Sequence, residues 1–359
     1  MLRLARQLFT RRASSPRNFP SSGFKIIDGA EKLEEENWDW YEPGIFYPVR
    51  IGEVFQSRYQ VVGKLGYGSR STAWLCRDLI GHKYIALKVC ERETTTILRE
   101  LAAYNHLSTI TTTKAGAHLV RKLLDTFKII GSNGVHHCFT VRDVLLQPLN
   151  IHLSVEDESI LKHLEEREMN NPSPRKIYSD RVIHDAPGLG VPKSFGRPVL
   201  CDFGEARFGA TNAMYTDDIQ PYVYRAPEVI LDIPWTYSAD IWNVGVMIWD
   251  MLENKHLFEA RDENNSNSTL YHIAEMVAIL GPPSLDYLRR SETSSKYFDS
   301  TGNWIGAAKI PNISLENSEE NLEGENKVLF LNFIRKMLKW VPEERYSAEQ
   351  LLEDPWLKS

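Results

Sequence analysis

The chain has 359 residues, 42% of them hydrophobic and 25% charged, enough to bury a sizeable core as one large domain or two modest ones. A net charge of −6 argues against a general nucleic-acid binder and is compatible with a basic protein partner or with solubility alone. No apolar run approaches the roughly 20 residues that span a bilayer. Cys76, Cys90, Cys138 and Cys201 lie in apolar, strand-like runs whose spacing suits neither a zinc site nor a disulfide framework, so they read as buried thiols.

Residues 1–37 are expected to lie outside the folded body. Met1 to Ser15 carries four arginines, no acid, and Leu2, Leu4, Leu8 and Phe9 interleaved. This is the composition of a mitochondrial presequence or of a disordered basic tail. Ser14 to Asp28 is rich in Pro and Ser and reads as unstructured, and the acidic run Glu31 to Glu36 as solvated. Trp38 to Gly44 and Tyr47 to Glu53 cluster aromatics in the manner of a strap laid on a domain surface.

Strands begin at Tyr59. Tyr59 to Leu65 and Thr72 to Cys76 flank the turn Gly66 to Ser71, a hairpin whose glycines let backbone N–H groups approach phosphate. Tyr84 to Val89 alternates as a third strand and carries Lys88 near its end. Thr95 to Leu107 has Ile97, Leu98, Leu101 and Ala102 at helical spacing, with Glu100 twelve residues after Lys88 as its natural ion-pair partner. Leu119 to Ile130 and Val135 to Val141 add two strands, giving a five-stranded antiparallel sheet with one helix, and Asp143-Val144-Leu145 follows as a hinge.

Ser154 to Met169 is predicted as a helix, with Ser154 and Asp157 resembling a capping box and Asn171-Pro172 as its stop. Its few apolar positions make it a surface helix. Val199 to Ala206 is a short apolar run broken by Asp202-Phe203-Gly204, and Ala226-Pro227-Glu228 follows. That pair, at that range, is the signature of a kinase activation segment, in which the aspartate holds Mg²⁺ against ATP phosphates. Asp240 to Leu252 forms an apolar helix, Arg345 is placed to pair with Glu228, and Pro355-Trp356-Leu357 closes the chain.

Together these motifs resemble the eukaryotic protein kinases and, within them, the SR-protein kinases. The family marks are Tyr41 to Gly44, Tyr47 to Gly52, Lys64 to Gly68 with Ser71 to Leu75, Arg197 to Ala206, and Ile273 to Met276 through Leu280 to Pro283. The resemblance covers Tyr41 to Ser359 and implies an α+β, bilobal protein-kinase-like fold. The N-lobe and its strap would occupy residues 38–145 and a mainly helical C-lobe 146–359. The implied activity is transfer of the ATP γ-phosphate to Ser or Thr of Arg/Ser-rich splicing factors, with Mg²⁺, by a monomer in cytoplasm and nucleus. The presequence-like segment is the competing indication of a mitochondrial location. By the same resemblance Leu65, Gly66, Tyr67, Gly68, Ala73 and Ala86 enclose the nucleotide, Lys88 binds phosphate, Glu100 orients Lys88, and Asp202 and Asn150 hold the metal. Two positions depart from the family pattern: Arg70 stands where an aromatic is usual, and Ala73 where Val is.

One motif is absent. The His-x-Asp-x-x-x-x-Asn loop, whose Asp accepts the substrate proton, has no counterpart between Leu145 and Arg197. His152, His163 and His184 do not begin it. The two helices expected before it are missing as well. Asn150 to Leu153 resembles the tail of that loop, as if the chain passes directly to the strand beyond it. A buried helix of four to six large apolar side chains would contribute about 1.5–3 kcal/mol for each, so a lobe without it is expected to be marginal or unfolded. The chain reads as an altered product of an active kinase gene. The alternative to a kinase is a pseudokinase scaffold.

Overall fold

The computed structural model describes residues 12–359 except 93, 113, 142–144, 147–150 and 208–212, and the backbone alone at 115, 145 and 146. The chain divides into two compact units, Met1–Phe208 and Gly209–Ser359.

The first unit is built on an antiparallel sheet. Its strands are β1 (Val54–Phe55), β2 (Tyr59–Tyr67), β3 (Ser71–Asp78), β4 (Lys83–Arg92), β5 (Leu123–Gly131) and β6 (Gly134–Val141), in the order β1-β2-β3-β4-β6-β5. The five expected strands are present. The sixth, β1, is a two-residue edge that the strap adds beside β2. The expected strand from Leu119 begins only at Leu123, because residues 115–119 form a 3₁₀ turn. Alternation sorts the side chains between two faces. On one, Val61, Trp74, Cys76, Ile85, Leu87 and Cys138 pack with Val49 and Phe55 of the strap. On the other lie Val62, Leu75, Ala86 and Val141. Helix α1 (Thr95–Thr109) buries Ile97 against Cys90 and Phe139. All four cysteines are buried thiols.

Three short elements follow. Strands β7 (Leu145–Leu146), β8 (Ile151–Val155) and β11 (Phe195–Leu200) form a second sheet in the order β11-β8-β7. Strands β9 (Arg175–Ile177) and β10 (Val182–His184) form a ribbon. Helix α2 (Ser159–Asn170) lies between these strands in the chain.

This corrects three expectations. First, the helix starts at Ser159, not Ser154. Residues 151–155 are captured as a strand by β11, so Ser154 cannot cap it, and Asp157 accepts from the Ser159 N–H at 2.9 Å instead. Second, the inner face of α2 is not purely apolar: Glu165 and Glu168 are buried beside Leu161 and Leu164, while Ser159, Lys162, His163 and Glu166 stay exposed. Third, residues 146–208 cluster with the first unit, so the expected boundary at 145 moves to 208.

The N-terminal expectation also changes. The Ser14 N–H donates to the Leu79 carbonyl, Ile26 bridges to Arg175, and the acidic run is drawn inward. Glu35 is 7% and Glu36 8% exposed. Glu35 accepts from the buried Lys64 ammonium, and Glu36 accepts from Lys176 at 2.6 Å and from Tyr178 at 2.9 Å. Lys64 also donates to the His184 carbonyl at 3.1 Å and lies 3.6 Å from Glu34. Charges buried this deeply persist only when paired, so this segment belongs to the folded body.

The second unit contains α3 (Pro227–Ile230), α4 (Ser238–Glu253), α5 (Thr269–Leu280), α6 (Leu285–Leu288), α7 (Leu315–Ser318), α8 (Gly324–Met337) and α9 (Ala348–Leu351). It keeps a contiguous core in which Trp242 and Trp249 of α4 are fully buried with Phe258, Ile273, Met276, Phe330 and Ile334. Trp356 closes it, 5.1 Å from Phe330 and 5.0 Å from Phe333 between ring centres. Arg345 meets Glu228 bidentately at 2.7 and 2.6 Å, both side chains fully buried. Within this unit α4, α5 and α8 supply one another's apolar partners. Two apolar side chains of α4 stand in the open: Val244 is 39% and Met251 76% exposed.

Candidate active site

The site is assembled within the first unit. The register sets Leu75 opposite Ala86 and Ala73 opposite Lys88, and Ala86 and Lys88, two apart on β4, share a face. Lys88 Nζ donates to both carboxylate oxygens of Glu100, at 2.8 and 2.7 Å, and lies 3.9 Å from Asp202 Oδ1. Glu100 is buried on α1, where an uncompensated carboxylate would be costly. Burial pulls the Lys88 pKa down, but the negative charge of Glu100, with Cys90 and Asp202 behind it, outweighs this and holds the ammonium above its ordinary value. Lys88 stays cationic throughout the physiological range.

Asp202 follows β11 with φ at 61°, a left-handed conformation that costs a non-glycine residue about 1–3 kcal/mol. Phe203 sets its edge on Tyr104 of α1 at 5.4 Å. A Cβ on Gly204 would meet the Thr96 methyl at 3.1 Å, so glycine allows the chain to pass α1 there. The result is an Asp202 carboxylate 60% exposed beside a fixed ammonium.

The glycine turn stands open. The Gly68 N–H donates to the Ser71 carbonyl at 2.8 Å, and no atom lies within 4 Å of where Gly66 would carry a Cβ. Arg70 fastens the tip to β4: its guanidinium donates to Glu91 at 2.8 Å, and its carbonyl accepts from the Glu91 N–H. Tyr67 takes no part in the Lys88 cluster. Its ring lies 6.2 Å from Trp38 and 5.7 Å from the Lys64 ammonium, toward the strap.

Of the two expected metal ligands, Asp202 is described and Asn150 lies outside the described residues, as do Asp143 and Val144 of the hinge. Among the described residues no group of three His, Cys, Asp or Glu side chains could hold a metal ion. A single carboxylate completed by substrate phosphates is a usual way of holding Mg²⁺, and Lys88 with Asp202 suits that use.

The apolar end of this face is largely buried. Leu75, Ala86 and Val141 pack against Leu161 and Leu164 of α2, with Leu65 and Ile160 at the edge of the same cluster. Ala86 is only 5% exposed. Residues that sequence reasoning missed hold the helix there. Glu165 accepts from the Tyr84 hydroxyl and pairs with Arg77 at 3.4 Å and Arg17 at 3.3 Å. The spacing of Leu161 and Leu164 was the available signal for a buried face.

Two serine/threonine protein kinases from strains of Aspergillus fumigatus are each 44% identical to the chain over 385 aligned positions, covering 97% of the chain and 97% of the relative. The chain belongs to the protein kinase family. The description "protein kinase domain" matches residues 194–357 of this kinase. The serine/threonine-protein kinase SRPK of Physarum polycephalum is 25% identical over 90% of the chain and 91% of its own length. SRSF protein kinase 3 of Homo sapiens is 22% identical over 92% and 91%. A crystal structure of a kinase domain superposes with a TM-score of 0.58 at 19% identity, covering 87% of this kinase and 99% of that chain, which establishes the shared fold. The Aspergillus alignment is longer than this kinase's 359 residues, so at least 26 of its 385 positions have no counterpart here.

Proposed function

We propose that this serine/threonine kinase phosphorylates serine in Arg/Ser-rich proteins. The observation that carries the substrate class is a cavity of about 280 Å³ in the second unit, lined by Asp217, Asp218 and Asp232 with Arg225 as its one guanidinium. Arg225 is already engaged by Asp218 at 3.1 Å. The lining thus carries an excess of negative charge, which suits a cationic side chain of a substrate. The names of the Physarum and human relatives support the same class.

In this reading Lys88 and Asp202 hold the phosphates and a divalent ion, the glycine turn lends backbone N–H groups, and Glu100 fixes Lys88. ATP supplies the phosphoryl group. The residue that takes the substrate proton is not among those the family pattern identifies in this sequence.

The test is transfer of radiolabelled phosphate to an Arg/Ser-repeat peptide by the full chain. Labelled peptide is expected, with the rate falling at least a hundredfold in Lys88→Met and Asp202→Ala. An unlabelled peptide, with the protein folded, would sink the proposal and leave the scaffold alternative. The proposed locations are cytoplasm and nucleus, or the mitochondrion through Met1 to Ser15, and fusing that segment to a fluorescent protein decides between them.

A further inference from the structure

The face of the sheet that carries Lys88 changes character along its length. At one end Arg77 and Tyr84 hold the buried carboxylate of Glu165. In the middle Leu75 and Ala86 stand opposite each other and are buried in one apolar cluster with Leu161 and Leu164. At the other end Lys88 and Asp202 remain accessible, their side chains 21% and 60% exposed. The apolar middle is closed and the charged end is open.

We propose that α2 is a built-in competitor for the nucleotide base: Leu161 and Leu164 occupy the apolar face that a base would take, and leave the phosphate end free. This rests on the reading of Lys88 and Asp202 as phosphate and metal groups. The contact is close along the helix, since a Cβ on Gly63 of β2 would sit 3.4 Å from Glu168 Cγ and 3.7 Å from Leu164 Cδ2. No purine can slide between these surfaces. A base enters only after α2 leaves, and the apparent affinity for ATP is reduced by the fraction of molecules in which the helix is away. A ligand without a base meets no such barrier. An event that draws α2 off, such as a partner that binds its Leu161–Leu164 edge, would therefore raise nucleotide affinity without altering Lys88, Glu100 or Asp202.

The test uses the full chain and three probes: Mg-ATP, Mg-tripolyphosphate and adenosine. Wild type is expected to bind tripolyphosphate about as tightly as ATP and not to bind adenosine. In the double variant Leu161→Asp, Leu164→Asp, ATP is expected to bind at least tenfold tighter while tripolyphosphate binding is unchanged. ATP affinity unchanged in a folded double variant overturns the proposal. Should that variant fail to fold, hydrogen exchange on wild type decides: saturating Mg-ATP must speed exchange at 159–170, and tripolyphosphate must not. Bound ATP with α2 still protected overturns the proposal. If neither ATP nor tripolyphosphate binds either protein, the reading of Lys88 and Asp202 fails, and the proposal with it.

Discussion

Two apolar surfaces in this kinase end differently. In the first unit Leu75, Ala86 and Val141 are covered by α2. In the second, α4 leaves Val244 and Met251 exposed. Polar groups fasten the helix over the covered patch. Beside Ala86 stand Tyr84 and Arg77, both able to hold Glu165 as Leu161 and Leu164 bury their side chains. Apolar area draws a helix in, but the carboxylates on that helix are tolerated inside only because cations and a hydroxyl meet them there.

The comparison can be broken at its strongest point first. In the second unit Arg345 and Glu228 tie distant parts of the chain together through a buried bidentate pair. Arg345→Met leaves a carboxylate buried alone and should cost about 3–5 kcal/mol by urea denaturation; a loss below 1 kcal/mol would mean the pair is dispensable. Next, Leu164→Ala should cost about 2–5 kcal/mol, as for a core leucine, whereas Met251→Lys should stay within about 0.5 kcal/mol of wild type. Equal costs at the two sites would erase the distinction between covered and bare faces.

Titration sharpens the contrast. Burial, with Arg175 and Lys64 adding to it, lowers the pKa of His184 to about 3. The unfolded chain takes up that proton near pH 6.5 and the folded chain does not. Stability of the first unit is therefore full above 6.5 and falls by about 1.4 kcal/mol for each unit below it, and His184→Phe should flatten the slope. In the second unit burial raises Glu275 to about 7. Its contribution has the opposite sign, being fully present below 4.5 and lost as pH rises to 7, with buried His272, lowered to about 3, opposing it below 6.5. Glu275→Gln should remove the loss between 4.5 and 7, read from urea midpoints across that range. The smallest effect is expected at Arg70→Ala. Arg70 is half-exposed while Glu91 is buried, so solvent screens the pair in part and the loss should be about 1 kcal/mol, read as a small fall in melting temperature.

Much of the first unit was legible because its signals are local. Period two placed Ala86 and Lys88 together, and twelve residues of strand, turn and helix brought Glu100 to Lys88. The acidic run at 31–36 was misread because its partners are distant: Lys64 lies 29 residues from Glu35, and Lys176 lies 140 from Glu36. Charge density suggested solvent, and only the fold could supply the counter-charges. Helix α2 was misplaced for a related reason. Residues 151–155 pair with β11 some forty residues on, and Glu165 and Glu168 look like surface residues until their partners are known. Tyr67 was assigned to the nucleotide by resemblance, and the contact of its ring with Trp38 was not legible from the sequence.

The buried Lys64 bears on where this protein can be cut. A fragment chosen from the catalytic motifs would begin near the tryptophans at 38 and 40, and would discard Glu34, Glu35 and Glu36 together. The ammonium would then sit in the interior with its carboxylates removed, and Lys176 would be stranded with it. Cleavage past residue 37 would thus remove the counter-ions of two interior lysines.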